Sequence, residues 1–415
     1  MAREFDLVLL GPTGYTGKHT AEYLYTSFPT TLKWALAGRS ASKIELVLRE
    51  IQAENVGTAN PEIIPVQLNK SELDALAKRT RLIINSIGPY HLFSTPIVEA
   101  CAENGTHYVD VTGETPWLKK VVPKYHDTAK KNGAIMVTSC GIESFPPDIV
   151  AWLAIDYART KLSAEPTDSV GCIYDFKSAG PSGGTAYSIL STIESLSFSD
   201  LLKFSDSYCL LASPHPPTHT APSKSLLELI TGARHYPGLG ALTTCPTTVA
   251  DESIVNRSST LMPAHYGPKF SFRQYLRVRS LFTAALFHYA FTIGISLLVF
   301  APFRWIARRV WPAPGTGPTK EETKNDVAEW RVVVPTNQQG STGNPKKVMG
   351  SIFYLGGHYE LTGVAVSCAA KVILEHEDKV KSVSTGLVTP ATLGQLYVDE
   401  LGKNGFKFQV KVLDE

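Results

Sequence analysis

The glycines near the amino terminus have the spacing of a phosphate-binding loop. The segment 11–17 reads GPTGYTG, follows the apolar run FDLVLL at 5–10, and precedes the helix-like stretch KHTAEYLYTSF. Glycine lets the backbone turn tightly and approach a pyrophosphate, and a helix start offers free N–H groups and a positive dipole end. This context predicts a dinucleotide site, although a glycine turn without a ligand is the alternative. The residues expected to contact the phosphates are Gly11, Thr13, Gly14, Tyr15, Thr16 and Gly17.

The end of the next apolar run indicates which dinucleotide binds. The segment WALAGRS at 34–40 ends in Arg39 and Ser40, where an NAD enzyme usually carries an acidic residue for the ribose hydroxyls. An arginine there would instead pair with a 2′-phosphate, and Lys43 follows one turn later. We therefore expect NADP(H), with a solvated loop arginine as the alternative.

Nicotinamide chemistry also needs a proton donor, and candidates follow the later strands. Tyr90, with His91 beside it, comes after NSIGP and is the predicted acid or substrate anchor. Glu114 is the alternative proton carrier if burial raises its pKa. For either residue, packing or helix capping is the structural alternative. Further cofactor contacts are expected from the same loops, at Ser86, Gly88, Pro89, Cys140 and Gly141.

The first third of the chain alternates between strand-like and helix-like segments. Such alternation predicts an α/β fold of the Rossmann type, a doubly wound parallel sheet with ligands at the carboxyl ends of its strands. The expected dinucleotide-binding domain covers 1–148, and 149–415 forms a second domain. The predicted strands are 5–10, 34–40, 63–68, 81–87, 107–112 and 134–139, and the predicted helices are 42–54, 71–79, 94–104 and 117–131.

Composition excludes several classes of protein. The 40 basic and 38 acidic residues nearly balance, which argues against nucleic-acid binding. The six cysteines are dispersed without a C-x-x-C pair, which favours a reducing compartment, and the amino terminus lacks the pattern of a signal peptide. No metal site is predicted. The G-x-S-x-G match at 180–184 is better explained as a helix-entry loop than as a hydrolase elbow.

An apolar stretch interrupts the second domain. Residues 281–303 contain no Asp, Glu, Lys or Arg, and arginines and tryptophans flank them within an insertion around 270–311. A helix of this length would be roughly 35 Å long, enough to cross a bilayer. Because the segments 351–370 and 386–412 should complete the same domain, we expect an in-plane helix or shallow hairpin on the cytoplasmic face of a membrane or lipid droplet. A buried helix or a homodimer interface is the alternative.

Several motifs together carry a family resemblance. GPTGYTG, LAGRS, NSIGPY, CAENGTHYVDVTGE and GIESFPPDIV occur in order, and GGTAYSILSTIESL, PGTGPTKEE and GLVTPATLGQLYVDEL follow. This series resembles the saccharopine dehydrogenase-like oxidoreductases, especially the branch of trans-acting enoyl reductases. Glu143 departs from the family pattern, which often has Asp there. The resemblance implies NADP(H) and a second α+β domain with a mixed sheet that covers the nicotinamide end of the cofactor.

The resemblance also leads to an expected function. We expect an NADPH-dependent reductase, with enoyl reduction of an apolar or carrier-bound acyl intermediate of lipid or polyketide biosynthesis as the favoured reaction. Reduction of an imine or ketone remains open, as does a non-catalytic lipid-surface protein that retains the fold. Intact glycines favour the enzyme.

Overall fold

The computed structural model describes residues 3–57, 60–196, 206–212, 219–340 and 343–413. Its strands are β1 Phe5–Leu10, β2 Trp34–Gly38, β3 Glu62–Pro65, β4 Thr80–Asn85, β5 His107–Asp110, β6 Ile135–Val137, β7 Asp168–Lys177, β8 Arg234–Tyr236, β9 Gly240–Thr244, β10 Ser271–Val278, β11 Val327–Gln339, β12 Pro345–Leu355, β13 Gly386–Val388 and β14 Lys407–Leu413.

Helices connect and cover these strands. The helices are α1 Tyr15–Ser27, α2 Ala41–Glu54, α3 Lys70–Arg79, α4 Tyr90–Phe93, α5 Thr95–Asn104, α6 Thr115–Lys131, α7 Phe145–Leu162, α8 Gly183–Ser195, α9 Leu226–Thr231, α10 Thr248–Leu261, α11 Pro263–Tyr266, α12 Leu281–Leu297, α13 Ala301–Val310, α14 Lys320–Thr323, α15 His358–Glu375, α16 Glu377–Val383 and α17 Gly394–Lys403. A 3₁₀ turn spans Pro390–Leu393.

The first sheet is parallel throughout and has the order β13-β6-β5-β4-β1-β2-β3. Its central strands are apolar without alternation because helices cover both faces, and five of the six residues of β1 are buried. The strand order reverses between β1 and β4, so their carboxyl ends form the crevice in which such sheets bind ligands. This arrangement confirms the predicted Rossmann-type sheet.

The second sheet is mixed and has the order β14-β12-β11-β7-β10-β9-β8. Strands β7 and β10 are parallel, and the other pairs are antiparallel. Helices α7 and α10 pack against it, and α7 contributes to the large core between the two sheets. The expected second domain with a mixed sheet is confirmed.

The carboxyl-terminal part of the chain divides its residues between the two sheets. Strand β14 joins the second sheet, but β13 pairs with β6 of the first, and α15 packs against α1. A Cβ on Gly363 of α15 would lie 2.9 Å from the backbone nitrogen of Thr20, which shows how closely these helices approach. Assigning all of 149–415 to the second domain is therefore wrong for this returning segment, and 386–388 does not complete the second sheet as expected.

The apolar insertion is shorter than predicted and is not buried. Residues 271–278 form β10, so the insertion comprises α12 and α13, whose axes meet at 106°. Within α12 only Ala284 is buried, which contradicts the alternative of a buried helix. Among the described residues no single helix is long and apolar enough to span a membrane, although this bent pair passes the same test of length and composition.

Candidate dinucleotide and active site

The three glycines of the phosphate loop are explained by three different structural constraints. Gly11 has φ +85°, a backbone conformation that L side chains rarely adopt. A Cβ on Gly17 would lie 2.1 Å from the carbonyl oxygen of Gly11, so α1 can approach β1 only with glycine there. A Cβ on Gly14 would make ordinary contacts, the nearest at 3.5 Å. The fold does not require glycine at position 14, which leaves close approach of a ligand as its reason.

The start of α1 is suited to bind an anion. Gly14 caps the helix without a side-chain hydrogen bond, and the first backbone bond runs from Lys18 N–H to the Gly14 carbonyl. The N–H groups of Tyr15, Thr16 and Gly17 therefore precede that bond at the positive end of the helix dipole. Ser86 Oγ, at the end of β4, is buried without a hydrogen-bond partner among the described residues. These features fit a dinucleotide pyrophosphate.

Two basic side chains after β2 carry positive charge that could bind an anion. Arg39 and Lys43 are exposed and have no ion-pair partner among the described residues, whereas Lys18 nearby in sequence pairs with Glu50. Ser40 caps α2 by accepting from the backbone N–H of Lys43. Unpaired cations at the end of β2 fit a 2′-phosphate.

The second domain closes over the phosphate loop through Tyr15. Its hydroxyl donates to the carbonyl oxygen of Pro318, and its ring packs edge-on against Tyr359 with centroids 4.9 Å apart. A Cβ on Gly317 would lie 2.5 Å from the same ring. The Tyr15 side chain therefore joins the two domains, which leaves its backbone N–H for the phosphates. Thr13 is exposed and Thr16 half-buried on this loop.

A histidine–carboxylate pair lies beside the loop that contains Ser86, Gly88 and Pro89. His91 Nδ1 is 2.6 Å from Glu114 Oε2. The same carboxylate accepts the backbone N–H groups of Tyr90 at 2.8 Å and His91 at 2.9 Å. Three donors hold the carboxylate, so Glu114 orients the imidazole. His91 Nε2 is buried and has no hydrogen-bond partner among the described residues, which leaves it available to a substrate.

Tyr90 is placed as a structural residue. Its hydroxyl donates to the carbonyl oxygen of Asn85 at 3.0 Å and accepts from the N–H of Val111 at 3.4 Å. Burial raises the pKa of Tyr90 well above its ordinary value. A phenol that is buried and already bonded to two backbone groups is a poor acid, so the structure does not support Tyr90 as the proton donor. Its role is to connect the carboxyl ends of β4 and β5.

The ends of β5 and β6 are held by Asp110. Its Oδ1 accepts from the N–H of Ser139 at 2.8 Å, and burial raises its pKa to about 6. Cys140 N–H donates to the Asp110 carbonyl, and the Cys140 thiol is buried in the core. The thiol is therefore not available to a cofactor, and a contact through the Cys140 backbone stays a prediction. A Cβ on Gly141 would lie 3.1 Å from the Val111 carbonyl oxygen. Close packing therefore explains the glycine at this position.

Comparisons with known proteins report what the first domain, the chain and the fold are similar to. Residues 7–137 match the saccharopine dehydrogenase NADP-binding domain. A Mycobacterium tuberculosis protein described as a candidate trans-acting enoyl reductase is 29% identical, covering 98% of this chain and 97% of that protein. The trans-acting enoyl reductase of Mycobacterium leprae is 27% identical over 97% of each. The apo saccharopine dehydrogenase (L-Glu forming) of Saccharomyces cerevisiae has the same fold, with a TM-score of 0.55, 12% identity, and coverage of 99% of this chain and 100% of that one.

The chain therefore resembles the saccharopine dehydrogenase-like oxidoreductases, through the match of its first domain and through its fold. The family resemblance drawn from the motifs is thereby confirmed. It is an NAD(P)-dependent enzyme whose first domain binds NADP(H).

Two further carboxyl groups near the site were not predicted as site residues. Glu143, after β6, lies beside Gly113, where a Cβ would be 1.9 Å from its Oε2. Burial, and then the charge of Glu114, raises its pKa. Asp251 on α10 is buried with Oδ1 unpartnered among the described residues, and burial raises its pKa well above the ordinary value, with Glu143 adding to the effect. Glu143 thus interacts with both Glu114 and Asp251, and burial favours the protonated forms of Glu143 and Asp251.

Sequence reasoning could find only part of this group. Glu143 belongs to the GIESFPPD motif, so its position was recognisable, but its approach to Asp251 depends on how α10 packs between the domains. The hydroxyls of Ser139 and Ser144 at the same edge have no hydrogen-bond partner where the structure is described, and nothing in the sequence predicts this. The free nitrogen of His91 likewise follows from the side-chain direction that Glu114 imposes.

Proposed function

We propose that the chain is an NADPH-dependent reductase of an apolar or carrier-bound acyl substrate in lipid or polyketide biosynthesis. The favoured reaction is reduction of a carbon–carbon double bond conjugated to the acyl carbonyl. The observation that carries the proposal is His91 Nε2, which is buried beside the Ser86–Pro89 loop with no hydrogen-bond partner in the described part of the chain, on a ring held by Glu114. The names of the mycobacterial relatives, trans-acting enoyl reductases, support the choice of reaction.

The reduction needs one hydride and one proton. When bound, NADPH supplies the hydride, which adds to the alkene carbon remote from the carbonyl. The chain supplies the proton for the neighbouring carbon. Glu114 fixes the ring of His91 through Nδ1, so Nε2–H points away from the carboxylate and is the proton that is donated. Neutral His91 then recovers a proton from water.

The preference for NADPH over NADH is part of the proposal. Arg39 and Lys43 present two charges without carboxylate partners among the described residues. A 2′-phosphate would satisfy both, whereas the ribose hydroxyl of NADH would leave them solvated.

A substrate panel tests the reaction. NADPH absorbance is followed with a medium-chain trans-2-enoyl thioester, the matching 3-ketoacyl thioester, and an imine formed from an amino acid and a 2-oxo acid. We expect turnover with the enoyl thioester at least about tenfold above the other two. Faster reduction of the ketone or imine would establish the alternative substrate class. Binding of NADPH without turnover of any of the three would favour the non-catalytic lipid-surface protein.

A further inference from the structure

An exposed apolar surface extends over three helices of the second domain. We propose that this surface, made of α9, α12 and α13 and called here the apolar face, binds an anionic phospholipid bilayer by entering one leaflet. The proposal does not depend on the substrate or on turnover. The large apolar side chains that are exposed on these helices are Leu226, Leu227, Leu229, Ile230, Leu281, Phe282, Leu286, Tyr289, Ile293, Ile295, Phe303, Trp305, Ile306 and Val310.

Helix α12 supplies the centre of the apolar face. Phe282 is 79% exposed, Leu286 62% and Ile293 57%, although the helix contains no charged residue. A helix that is apolar on all sides is normally buried in protein or in lipid. Contiguous exposed apolar area of this kind marks an interaction surface in a soluble fold.

The neighbouring helices extend the same surface. A Cβ on Gly232 would lie 2.4 Å from the His288 ring, which places the end of α9 directly against α12. Helix α13 exposes Trp305 and Ile306 beside Arg308 and Arg309, and it buries only Ala307. Amphipathic helices with tryptophan and arginine are typical of membrane interfaces.

The charge around the apolar face favours lipid over a second copy of the chain. No Asp or Glu occurs from residue 253 to residue 320, whereas arginines flank both helices. Arg279 and Arg309 are exposed without an ion-pair partner among the described residues, and Arg309 stacks on the Trp305 ring at 3.8 Å. Two copies facing each other through this surface would bring arginines together. Anionic headgroups would instead complement them.

The geometry fits a single leaflet. Helix α12 has 17 residues and is about 26 Å long, shorter than a hydrocarbon core of about 30 Å. The chain then turns by 106° into α13. Both arms are fixed to the same domain, because Thr243 Oγ1 donates to the Ala284 carbonyl at 2.7 Å and Arg304 pairs with Glu194 of α8 at 3.2 Å. The flanks therefore lie on one side of the bilayer.

Vesicle sedimentation with the full chain tests the proposal. Sucrose-loaded phosphatidylcholine vesicles, with and without phosphatidylglycerol, are pelleted with the protein. We expect strong binding to the anionic vesicles. The combined change Phe282→Ser, Leu286→Ser and Ile293→Ser should lower the partition coefficient by about a hundredfold or more, since each exposed side chain would lose its burial in lipid.

Two further sets of variants complete the design. Leu46→Ser with Val56→Ser, the same kind of change at exposed positions of the first domain, should bind vesicles like the unmodified chain. Arg279→Gln with Arg309→Gln should weaken binding to anionic vesicles and leave the weaker binding to neutral vesicles unchanged. NADPH affinity and melting temperature, measured for each variant, should match the unmodified chain because all the altered side chains are exposed.

Two results would overturn the proposal. One is equal pelleting of the triple variant and the unmodified chain. The other is an unmodified chain that stays in the supernatant. If the triple variant then converts a dimer into a monomer in analytical ultracentrifugation, the occupant of the apolar face is a second copy.

Discussion

His91 Nδ1 lies 2.6 Å from Glu114 Oε2, and the same carboxylate also accepts the backbone N–H of His91. This double contact fixes both the ring and the turn that carries it. We expect His91→Asn to lower kcat by about 10²–10⁴ while the Kd for NADPH stays unchanged, because the imidazole donates a proton without holding the cofactor. Steady-state kinetics and cofactor fluorescence measure the two quantities.

Controls separate this role from structural effects. His235→Asn, at an exposed histidine of β8, should leave kcat unaltered. Glu114→Gln should lower kcat and leave the Kd for NADPH unchanged, since the imidazole loses the carboxylate that fixes its ring. Normal turnover of His91→Asn would return His91 to a structural role and make Asp251 and Glu143 the next candidates.

Tyr90→Phe should behave differently from His91→Asn. Removing the hydroxyl leaves the Asn85 carbonyl and the Val111 N–H without their shared partner. We expect the free energy of unfolding to fall by about 1 kcal/mol in chemical denaturation, with little change in kcat. A large loss of turnover in a variant of normal stability would restore Tyr90 as the acid.

Arg39→Ala tests cofactor choice. Loss of one charge-assisted phosphate contact, worth about 1.5–3 kcal/mol, should weaken NADPH binding by roughly 10–100-fold and leave NADH affinity unchanged. Arg49→Ala in α2, whose arginine faces Glu45, is the matched control and should bind both cofactors normally. Equal affinities for the two cofactors in the unmodified chain would contradict the assignment.

Substitutions of Gly14 and Gly17 should affect different properties, cofactor binding in the first case and stability in the second. Gly14→Val places a branched side chain where the pyrophosphate approaches, so cofactor binding should be lost with the melting temperature preserved. Gly17→Ala puts a Cβ 2.1 Å from the Gly11 carbonyl oxygen, so the melting temperature should fall. Cofactor titration and thermal melting of both variants distinguish the roles. Undiminished NADPH binding by Gly14→Val would mean that the loop is structural only.

Asp148 should make stability depend on pH. Burial raises its pKa to about 7, with Ser258 Oγ 2.6 Å from Oδ1 and Ala391 N–H donating to Oδ2. Because the folded pKa is above the unfolded value of about 4, this group's contribution is complete below pH 4 and is lost as pH rises toward 7. Asp148→Asn mimics the neutral acid. Its free energy of unfolding should therefore fall less than that of the unmodified chain when the pH is raised from 5 to 8. Chemical denaturation at the two pH values measures this difference. An equal fall in the free energy of unfolding for the variant and the unmodified chain would contradict the prediction.

The first domain could be predicted from the sequence because its signals are local. All six predicted strands and the four predicted helices of the first domain occur, although every strand except β1 ends two or three residues earlier than expected. Their last predicted residues belong instead to the loops at the carboxyl edge of the sheet. Strand β13 could not be predicted, since three residues carry little pattern and its partner β6 is about 250 residues distant in the chain.

In the site too, features set by local sequence could be predicted and those set by long-range contacts could not. The phosphate loop follows from glycine spacing, but the proton donor depends on side-chain direction. Tyr90 and His91 are adjacent in the sequence, yet one hydroxyl points to the backbone of β4 and the other side chain to Glu114. Asp251 reaches the site only because α10 packs between the domains, a long-range contact for which periodicity gives no information.

Isotope labelling tests the proposed reaction most directly. The enoyl thioester is reduced with NADPH deuterated at its reactive carbon, and in a second reaction with ordinary NADPH in heavy water, and the products are analysed by mass spectrometry. We expect one cofactor-derived deuterium on the carbon remote from the carbonyl and one solvent-derived deuterium on the neighbouring carbon. An unlabelled, unreduced enoyl thioester, together with cofactor-derived label in the ketone or imine substrate, would contradict it.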